Sequence, residues 1–448
     1  MQKTAIIGAG ESGFGAALLA HSLGHEVFVS DEGMIAEDRK KMLVEKSVSF
    51  EEMGHRPQHF LDAEVVVKSP GIPFSHPLVK QLMDEGITVI DELEFAFKES
   101  RGKIIAITGT NGKTTTALLT YHLLKTAGLD VGLAGNVGQS WAAQLTREDH
   151  DWWVLEVSSF QIDGFRDFHP HIAILLNITP DHLDRYEYQL EKYAASKVKL
   201  MDKMEKEDHF IFFGEDPNIK KAINGLKGTP QQHGIGLEKK KGNLGYLNEG
   251  QLIIEGEEEP WVFETREMSL KGQHNMVNSM AAILAARFAG ASKNDLDIGL
   301  KNFTNAPHRM EWVADIGEIQ FINDSKGTNV DATLYALSAY SQPIIWIAGG
   351  IDKGNDYSLL EKVVKDHVKV LIGLGKDNRK LVSAFSGKIP ILLETQNINE
   401  AIKLALEHGE KGDVALLSPA CASFDLFKNY EDRGNQFKEA VKQLKIEN

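Results

Sequence analysis

The strongest constraint on the fold is a rhythm. Short runs rich in Ile and Val alternate with helical stretches: TAIIG at 4–8, EVFVS at 26–30, EVVVK at 64–68, KIIAIT at 103–108, WWVLEV at 152–157 and IAILLNI at 172–178. It returns near the C-terminus with EIQFIN at 318–323, PIIWIAGG at 343–350, VKVLIGLG at 368–375 and DVALLSP at 413–419. Near-continuous apolar strands separated by helices are what a parallel sheet covered on both faces requires, so the fold class is α/β, built from βαβ units. At roughly 100–200 residues per domain, 448 residues make two to four domains. Joints near Lys98 to Gly102 and near Asn302 to Pro307 predict three, over 1–98, 99–304 and 305–448. No sequence repeat accompanies the rhythm. The stretch 225–267 breaks it with Lys239-Lys240-Lys241 and GYLNEGQLIIEG, which reads as a surface hairpin beside a solvated lysine run.

Composition narrows the partners. An apolar fraction of 42% with 25% charged residues belongs to an ordinary folded protein rather than a disordered or disulfide-stapled one. A net charge of -15, with no local basic stripe, repels a phosphate backbone, so nucleic acid is not expected. Cys421 is the only cysteine, which excludes an internal disulfide and a cysteine metal cluster. With no base near it in sequence, it reads as a small packed residue rather than a nucleophile. The chain enters a strand-like segment at Lys3 with no signal-peptide layout, and no apolar run approaches the roughly 18 residues of a membrane span. A cytoplasmic location without membrane insertion is the expectation.

Three groups of residues carry chemistry. The first is Gly8-Ala9-Gly10-Glu11-Ser12-Gly13, between a strand and a helix, with Asp31 ending the next strand. Glycines there allow a tight turn, the helix N-terminus favours a pyrophosphate, and the acidic residue suits a ribose hydroxyl. A nucleoside diphosphate, NAD and a purely structural turn all satisfy this spacing. The turn Ser69-Pro70-Gly71-Ile72-Pro73 is expected on the same sheet edge. The second group is sharper: Thr108-Gly109-Thr110-Asn111-Gly112-Lys113-Thr114-Thr115, between a strand and a helix that Gly128 should stop. It is a phosphate-binding loop of a shortened GxxGKT form, since Ile107 stands where the usual first glycine would be. Its backbone N–H groups cradle phosphates, Lys113 reaches the terminal ones and the Thr114 hydroxyl can take Mg²⁺. Strands ending in Glu156, Ser158, Ser159 and Gln161, and in Asn177 followed by Asp181, His182 and Asp184, should converge on that loop. Glu156 suits Mg²⁺, while His182 suits a metal or a substrate. Lys197, by composition, belongs to a solvated helix face.

The third group is Gly272-Gln273-His274-Asn275 with Asn278, then Pro307-His308-Arg309, then Asn323-Asp324-Ser325-Lys326-Gly327-Thr328. Asn275 and Asn278 share a helix face that could read a base or ribose, or His274 and Asn275 merely cap the helix. Arg309 reads as a phosphate clamp or an ordinary ion pair.

At this point the sequence resembles the Mur ligases of peptidoglycan synthesis, over essentially its whole length. The resemblance rests on GTNGKTT at 109–115, GNVG at 135–138, EVSSFQ at 156–161, NITPDHLDRY at 177–186, GQHNMVN at 272–278, PHRME at 307–311, NDSKGTN at 323–329 and SPACASFDLFKNYEDRG at 418–434. It implies a Rossmann-like N-terminal domain, a central P-loop ATPase-like domain and a C-terminal Rossmann-like domain. It also implies an ATP-dependent ligase that joins D-glutamate to UDP-N-acetylmuramoyl-L-alanine through an acyl phosphate and acts as a monomer. Other Mur-type ligases, a folylpolyglutamate synthetase-like enzyme and a non-catalytic nucleotide-binding protein are the alternatives.

By the same resemblance, Gly10, Glu11, Ser12, Asp31, Ser69, Pro70 and Gly71 lie near UDP, and Asn136, Ser159 and Gln161 near the muramoyl group. Gly109 to Thr115, Asn275, Asn278, Arg309 and Asp324 take ATP. Thr328, Lys353, Ser423, Phe424 and Tyr430 take the incoming amino acid. Lys113, Glu156, His182, Lys197 and Lys326 are the implied catalytic set. Two Mg²⁺ ions are implied on Thr114, Glu156, His182 and a carbamylated Lys197. Glu32 and Gly33 depart from the family's common pattern beside Asp31, and GGIDKGND differs in loop spacing from some members.

Overall fold

A computed structural model describes residues 2–224, 230–256 and 259–447. Within the irregular stretch 225–267, positions 225–229 and 257–258 lie outside the described residues. Among the described residues the strands form three sheets, and the chain divides into two compact units. Unit 1 spans Met1–Met268 and Val277–Phe303; unit 2 spans Ser269–Met276 and Thr304–Asn448.

The first sheet of unit 1 contains β1 (Lys3–Ile7), β2 (Glu26–Ser30), β3 (Ser49–Glu51), β4 (Val65–Lys68) and β5 (Thr88–Asp91). All pairings are parallel, in the order β3-β2-β1-β4-β5. The order reverses at β1, so a crevice opens beyond the carboxyl ends of β1 and β4. The second sheet contains β6 (Lys103–Thr108), β7 (Val131–Gly135), β8 (Trp152–Glu156), β9 (Ile172–Leu175), β10 (His209–Phe213), β11 (Gln231–Ile235), β12 (Asn243–Asn248), β13 (Gln251–Ile254) and β14 (Trp261–Glu264). Here β6 lies between β8 and β9, both parallel to it, which makes its carboxyl end a second switch point.

The predicted hairpin is present, with β12 antiparallel to β13, but it does not stand alone on the surface. β12 pairs in parallel with β11, and β13 pairs antiparallel with β14, so the segment extends the central sheet. Lys239 and Lys240 beside it are exposed and pair with Glu255 and Glu215.

The two sheets of unit 1 share one apolar cluster. Leu93 and Phe95, just after β5, belong to it together with Trp141, Trp153 and Phe168 of the central region. Three buried carboxylates accompany that apolar contact. Lys68 and Asp91 form an ion pair at 2.8 Å with both side chains essentially inaccessible. Glu92 Oε1 accepts from Ser140 Oγ at 2.7 Å and from the Ala142 amide at 2.8 Å. Glu94 accepts the amides of Arg166, Asp167 and Phe168. Burial pushes the carboxyl groups of Asp91 and Glu92 up, to about 6 and about 7.

In unit 2, β15 (Glu311–Ile316) runs antiparallel to β16 (Ile319–Asn323) at one edge. β17 (Ile344–Ala348), β18 (Val368–Leu374), β19 (Ile391–Thr395) and β20 (Val414–Leu417) complete a sheet ordered β15-β16-β20-β17-β18-β19. The pairings from β16 to β19 are parallel, so the segments that follow β16, β17 and β20 emerge on one edge. Apolar clusters fill both faces, around Trp346 and Phe385 on one and around Phe321 and Phe437 on the other.

Candidate active site

At the first switch point the turn after β1 is held by glycines at two positions. Gly8 has φ +91°, and a Cβ on Gly13 would lie 1.8 Å from the Gly8 carbonyl oxygen, whereas a Cβ on Gly10 would meet nothing within 4 Å. The helix Glu11–Ser22 begins here, with the N-terminal orientation an anion favours. Asp31 is turned into the turn itself: its carboxylate accepts the Ala9 amide at 2.6 Å and the Gly33 amide at 2.8 Å. Its first service is to fix the glycine turn. Ser69 Oγ donates to the Gly8 carbonyl at 3.1 Å and so ties the turn after β4 to the turn after β1.

At the second switch point Gly109 and Gly112 adopt φ of +151° and +87°. The helix Lys113–Thr126 follows and stops, as the sequence predicts, at Gly128, whose amide bonds to the Lys125 carbonyl. Asn177, beyond β9, clamps the loop from the side. Its Oδ1 accepts the Asn111 amide at 2.8 Å and its Nδ2 donates to the Asn111 carbonyl at 2.9 Å. Thr110 Oγ1 accepts from the Thr179 amide, and Thr115 is buried behind the loop. Lys113 Nζ donates to the carbonyls of Gly109 and Thr110, both at 2.8 Å. Thr114 Oγ1 donates to Glu156 Oε2 at 2.7 Å, and Asn136 Nδ2 donates to Glu156 Oε1 at 2.9 Å. Thr114 and Glu156 thus present oxygen donors side by side, the kind a hard divalent cation takes beside phosphates, and Asn136 holds the Glu156 carboxylate from its other oxygen. Among the described residues no group of three His, Cys, Asp or Glu side chains is arranged to hold a metal. Mg²⁺ fits this site because it keeps water and phosphate oxygens and needs few protein ligands.

Lys197 is not on a solvated face. It is 2% exposed, lies under the Tyr193 ring at 4.5 Å and donates to the Gly109 carbonyl at 2.9 Å, the same oxygen Lys113 uses. Burial above all, and then the charge of Lys113, push its ammonium well below the ordinary lysine value. Burial thus disfavours the charged form. His182 sits in the left-handed region at φ 52°, its ring edge-on to Phe160 at 5.1 Å. Pro70, Gly71, Lys113, Asn136, Ser159, Phe160, His182 and Lys197 line one cleft of about 260 Å³. A neighbouring cleft of about 170 Å³ is lined by Glu11, Ser12, Pro70, Asn136 and Gln161, among others. Gln161 is also spoken for locally, closing a capping box with Ser158.

Unit 2 carries the remaining set. The helix Gln273–Phe288 starts before His274 and Asn275, so both lie in its first turn and neither is its cap. Asn275 Nδ2 donates to the Lys271 carbonyl at 2.8 Å. Within unit 1, Asn278 Oδ1 lies 2.5 Å from where a Cβ on Gly112 would be, against the phosphate loop. Asp324 is buried and accepts from Ser418 Oγ at 2.8 Å; burial pushes its carboxyl up to about 7, against Ser418, Met310 and two arginines, Arg309 and Arg433. Lys326 Nζ stands 3.6 Å over the Tyr430 ring. Thr328 follows on the same loop, its amide bonded to the Lys326 carbonyl. An isolated bridge between Ile351 and Ala422 sets the loop carrying Lys353 beside Ser423. Lys353 is exposed, Ser423 is buried and Phe424 is 66% exposed. The Asp352 carboxylate is used by its own loop and by Lys380. Cys421 is buried, its Sγ 3.2 Å from the Tyr357 hydroxyl, in keeping with a packing role.

Comparison with known proteins gives the family. The family descriptions "MurD N-terminal domain", "Mur ligase middle domain" and "Mur ligase, glutamate ligase domain" match residues 3–76, 107–286 and 308–421. The chain belongs to the Mur ligase family. A Mur ligase relative from Christiangramia forsetii, named UDP-N-acetylmuramoylalanine–D-glutamate ligase, is 45% identical over 443 residues, covering 99% of this chain and 100% of its own. One of the same name from Cytophaga hutchinsonii is 45% identical over 446 residues, covering 99% of both. Among solved structures, the UDP-N-acetylmuramate-alanine ligase MurC of Thermotoga maritima superposes with a TM-score of 0.61 at 17% identity, over 99% of this chain and 100% of that one. A pseudomurein peptide ligase type C from Methanothermus fervidus gives 0.63 at 17% identity, with the same coverage. These structural likenesses show the Mur ligase fold.

Against this Mur ligase background, residues that motif reading did not single out carry much of the geometry. Arg433, 1% exposed, donates to Ser325 Oγ and to the carbonyls of Ser325, Cys421 and Gly349, joining the segments after β16, β17 and β20. It lies inside the quoted block SPACASFDLFKNYEDRG, and a buried arginine has no signature in spacing. Tyr193, which roofs Lys197, lies four residues before it, a helical spacing that was available.

Proposed function

We propose that this Mur ligase adds D-glutamate to UDP-N-acetylmuramoyl-L-alanine at the expense of ATP, in the cytoplasm and as a monomer. The observation that carries the reading is the 260 Å³ cleft, where Lys113, Asn136, His182 and Lys197 of the phosphate loop's surroundings face Pro70 and Gly71 from the direction of the glycine turn. A nucleoside diphosphate on the first turn and ATP on the second would direct their reactive ends to one place. The full-length relatives that bear the D-glutamate ligase name supply the substrate class.

The chemistry follows from what a carboxylate lacks. At neutral pH it offers an amine no leaving group. Its oxygen attacks the γ-phosphorus of ATP, the bond to the β,γ-bridging oxygen breaks, and ADP leaves an acyl phosphate. The D-glutamate amine then attacks the acyl carbon, loses a proton and expels phosphate to leave the amide. Lys113 and the amides of Gly109 to Thr115 hold the phosphates in line, while Thr114 and Glu156 hold Mg²⁺. When bound there, Mg²⁺ would neutralise charge developing on the transferred phosphoryl group. Lys197, buried and biased to the free amine, is suited to add carbon dioxide, its nitrogen forming a C–N bond and losing a proton. The resulting carbamate, with His182, provides the oxygen and nitrogen donors for a second Mg²⁺. Asn275, Asn278, Arg309, Asp324 and Lys326 are assigned to ATP and the transferred group. Thr328, Lys353, Ser423, Phe424 and Tyr430 are assigned to the amino acid. The regions 1–98, 99–304 and 305–448 then serve one ligand each.

The test is phosphate release from Mg²⁺-ATP and UDP-N-acetylmuramoyl-L-alanine against a panel of D- and L-amino acids, with product mass. Release and one added glutamate with D-glutamate alone is the expected result. Turnover with a different amino acid would overturn the pocket assignment, and no turnover would favour a nucleotide-binding protein without catalysis.

A further inference from the structure

Between the two switch points stands a side-chain stack that the catalytic reading leaves without a task. Arg185 lies on the short turn Leu183–Tyr186, just after His182. Its Nη2 donates to the Gly71 carbonyl at 2.7 Å, and its guanidinium carbon lies 4.2 Å from the centroid of the Phe160 ring. The same ring meets His182 edge-on at 5.1 Å with planes at 65°, and lies parallel to Tyr186 at 6.4 Å. Tyr186 is buried, and its hydroxyl bonds to Asp163 at 2.9 Å, so the base of the stack is fixed in the core. Gly71, Phe160 and His182 are three walls of the 260 Å³ cleft, and one arginine touches the first two with its side chain and bonds the carbonyl of the third through its amide, at 3.1 Å.

We infer that Arg185, acting through Phe160, is a positioning residue for the UDP-bearing substrate: it holds the Ser69–Pro73 turn at the spacing from His182 that the substrate must bridge. This rests on the proposed reading of the cleft. The turn has little else to define it toward the central sheet. Apart from Arg185, its hydrogen bonds among the described residues run back to its own domain, from the Ser69 amide to Ile7 and from Ser69 Oγ to Gly8, or stay local, from the Ile72 amide to Ser69 and from the His76 amide to Pro73. Arg185 is exposed, so its bond and stack add little to global stability, and their effect falls on local placement. A planar guanidinium stacks and donates at once, which an ammonium on a flexible stem does not reproduce.

The experiment compares Arg185→Ala, Arg185→Lys, Phe160→Leu and the Arg185→Ala/Phe160→Leu pair with the wild type. Arg185→Ala should raise KM for UDP-N-acetylmuramoyl-L-alanine about tenfold, with kcat and the KM for ATP changed by less than about twofold. Arg185→Lys should fail to restore it, and the double variant should cost little more than either single one, because the two residues act as one unit. Amide hydrogen exchange at Gly71 and Ile72 should rise in Arg185→Ala. Loss confined to kcat, full rescue by lysine, or additive effects would each overturn the inference while leaving the ligase reading intact. If the wild type itself does not turn over, the ligase reading fails. Unchanged exchange at the turn in Arg185→Ala would overturn the inference independently of any activity.

Discussion

The two glycine turns of unit 1 occupy the same topological place, each at the carboxyl end of the strand where the sheet order reverses, yet they present opposite kinds of surface. After β1 the side chains serve the turn: Asp31 caps the Ala9 and Gly33 amides and Ser69 bonds the Gly8 carbonyl. What remains for a ligand is backbone and shape. After β6 charged and hydroxyl side chains gather at the loop, Lys113 and Lys197 on the Gly109 carbonyl and Thr114 on Glu156, the set that the proposed function gives to the ligand. On the proposed reading the first turn holds a molecule and the second changes one. Binding sites can be made of geometry alone, whereas phosphoryl transfer needs charge placed where charge develops.

Substitutions should separate the two. The largest effect is expected at Lys113→Ala, which should lower kcat by about 10³-fold or more while leaving KM for the UDP substrate within about threefold. Steady-state kinetics with each substrate varied in turn checks this. Lys197→Ala should cost about 10²-fold in kcat. The wild type, stripped of carbon dioxide, should regain activity with bicarbonate, and the variant should not; an activity near wild type without bicarbonate dependence would remove the carbamate from the account.

The first turn should instead answer in stability. Gly13→Ala places a Cβ 1.8 Å from the Gly8 carbonyl oxygen and should destabilise unit 1 by about 3 kcal/mol. Gly10→Ala meets nothing and should stay within about 1 kcal/mol. Chemical denaturation followed by tryptophan fluorescence distinguishes them, Trp141 and Trp153 being in the core of that unit.

Much of this contrast was legible in the sequence. The phosphate loop announces itself through residue types at fixed spacing, and the Ile and Val runs at β1, β2, β4, β6, β8, β9, β16, β17, β18 and β20 announce strands because buried parallel strands are apolar throughout. Strand β7 was not legible, since Gly132 and Gly135 stand where a Cβ would strike the Trp153 ring and the Glu156 carbonyl. Its glycines are demanded by neighbours distant in sequence, and they dilute the local signal. Lys197 was misread by composition because burial is a tertiary property; only resemblance pointed to it. Glu92 and Glu94 belong to no motif, yet they are buried acceptors that bind the helix Glu92–Phe97 to the central region.

Glu92 gives a further prediction, in pH. The Glu92 carboxyl is raised in the folded state to about 7, so the folded chain retains a proton that the unfolded chain loses near pH 4–5. Stability is then full below that lower range and declines as pH rises toward 7. Glu92→Gln keeps an oxygen for Ser140 and Ala142 without the charge. Relative to the wild type it should gain up to about 2 kcal/mol between pH 4 and 8, measured by denaturation at each pH.

The central claim is that the two turns feed one acyl phosphate, and an oxygen label tests it directly. UDP-N-acetylmuramoyl-L-alanine carrying oxygen-18 in its carboxylate is turned over with Mg²⁺-ATP and D-glutamate, and the released phosphate is analysed by mass. The account predicts one labelled oxygen in each phosphate formed. Phosphate free of label, with amide product accumulating, would contradict it.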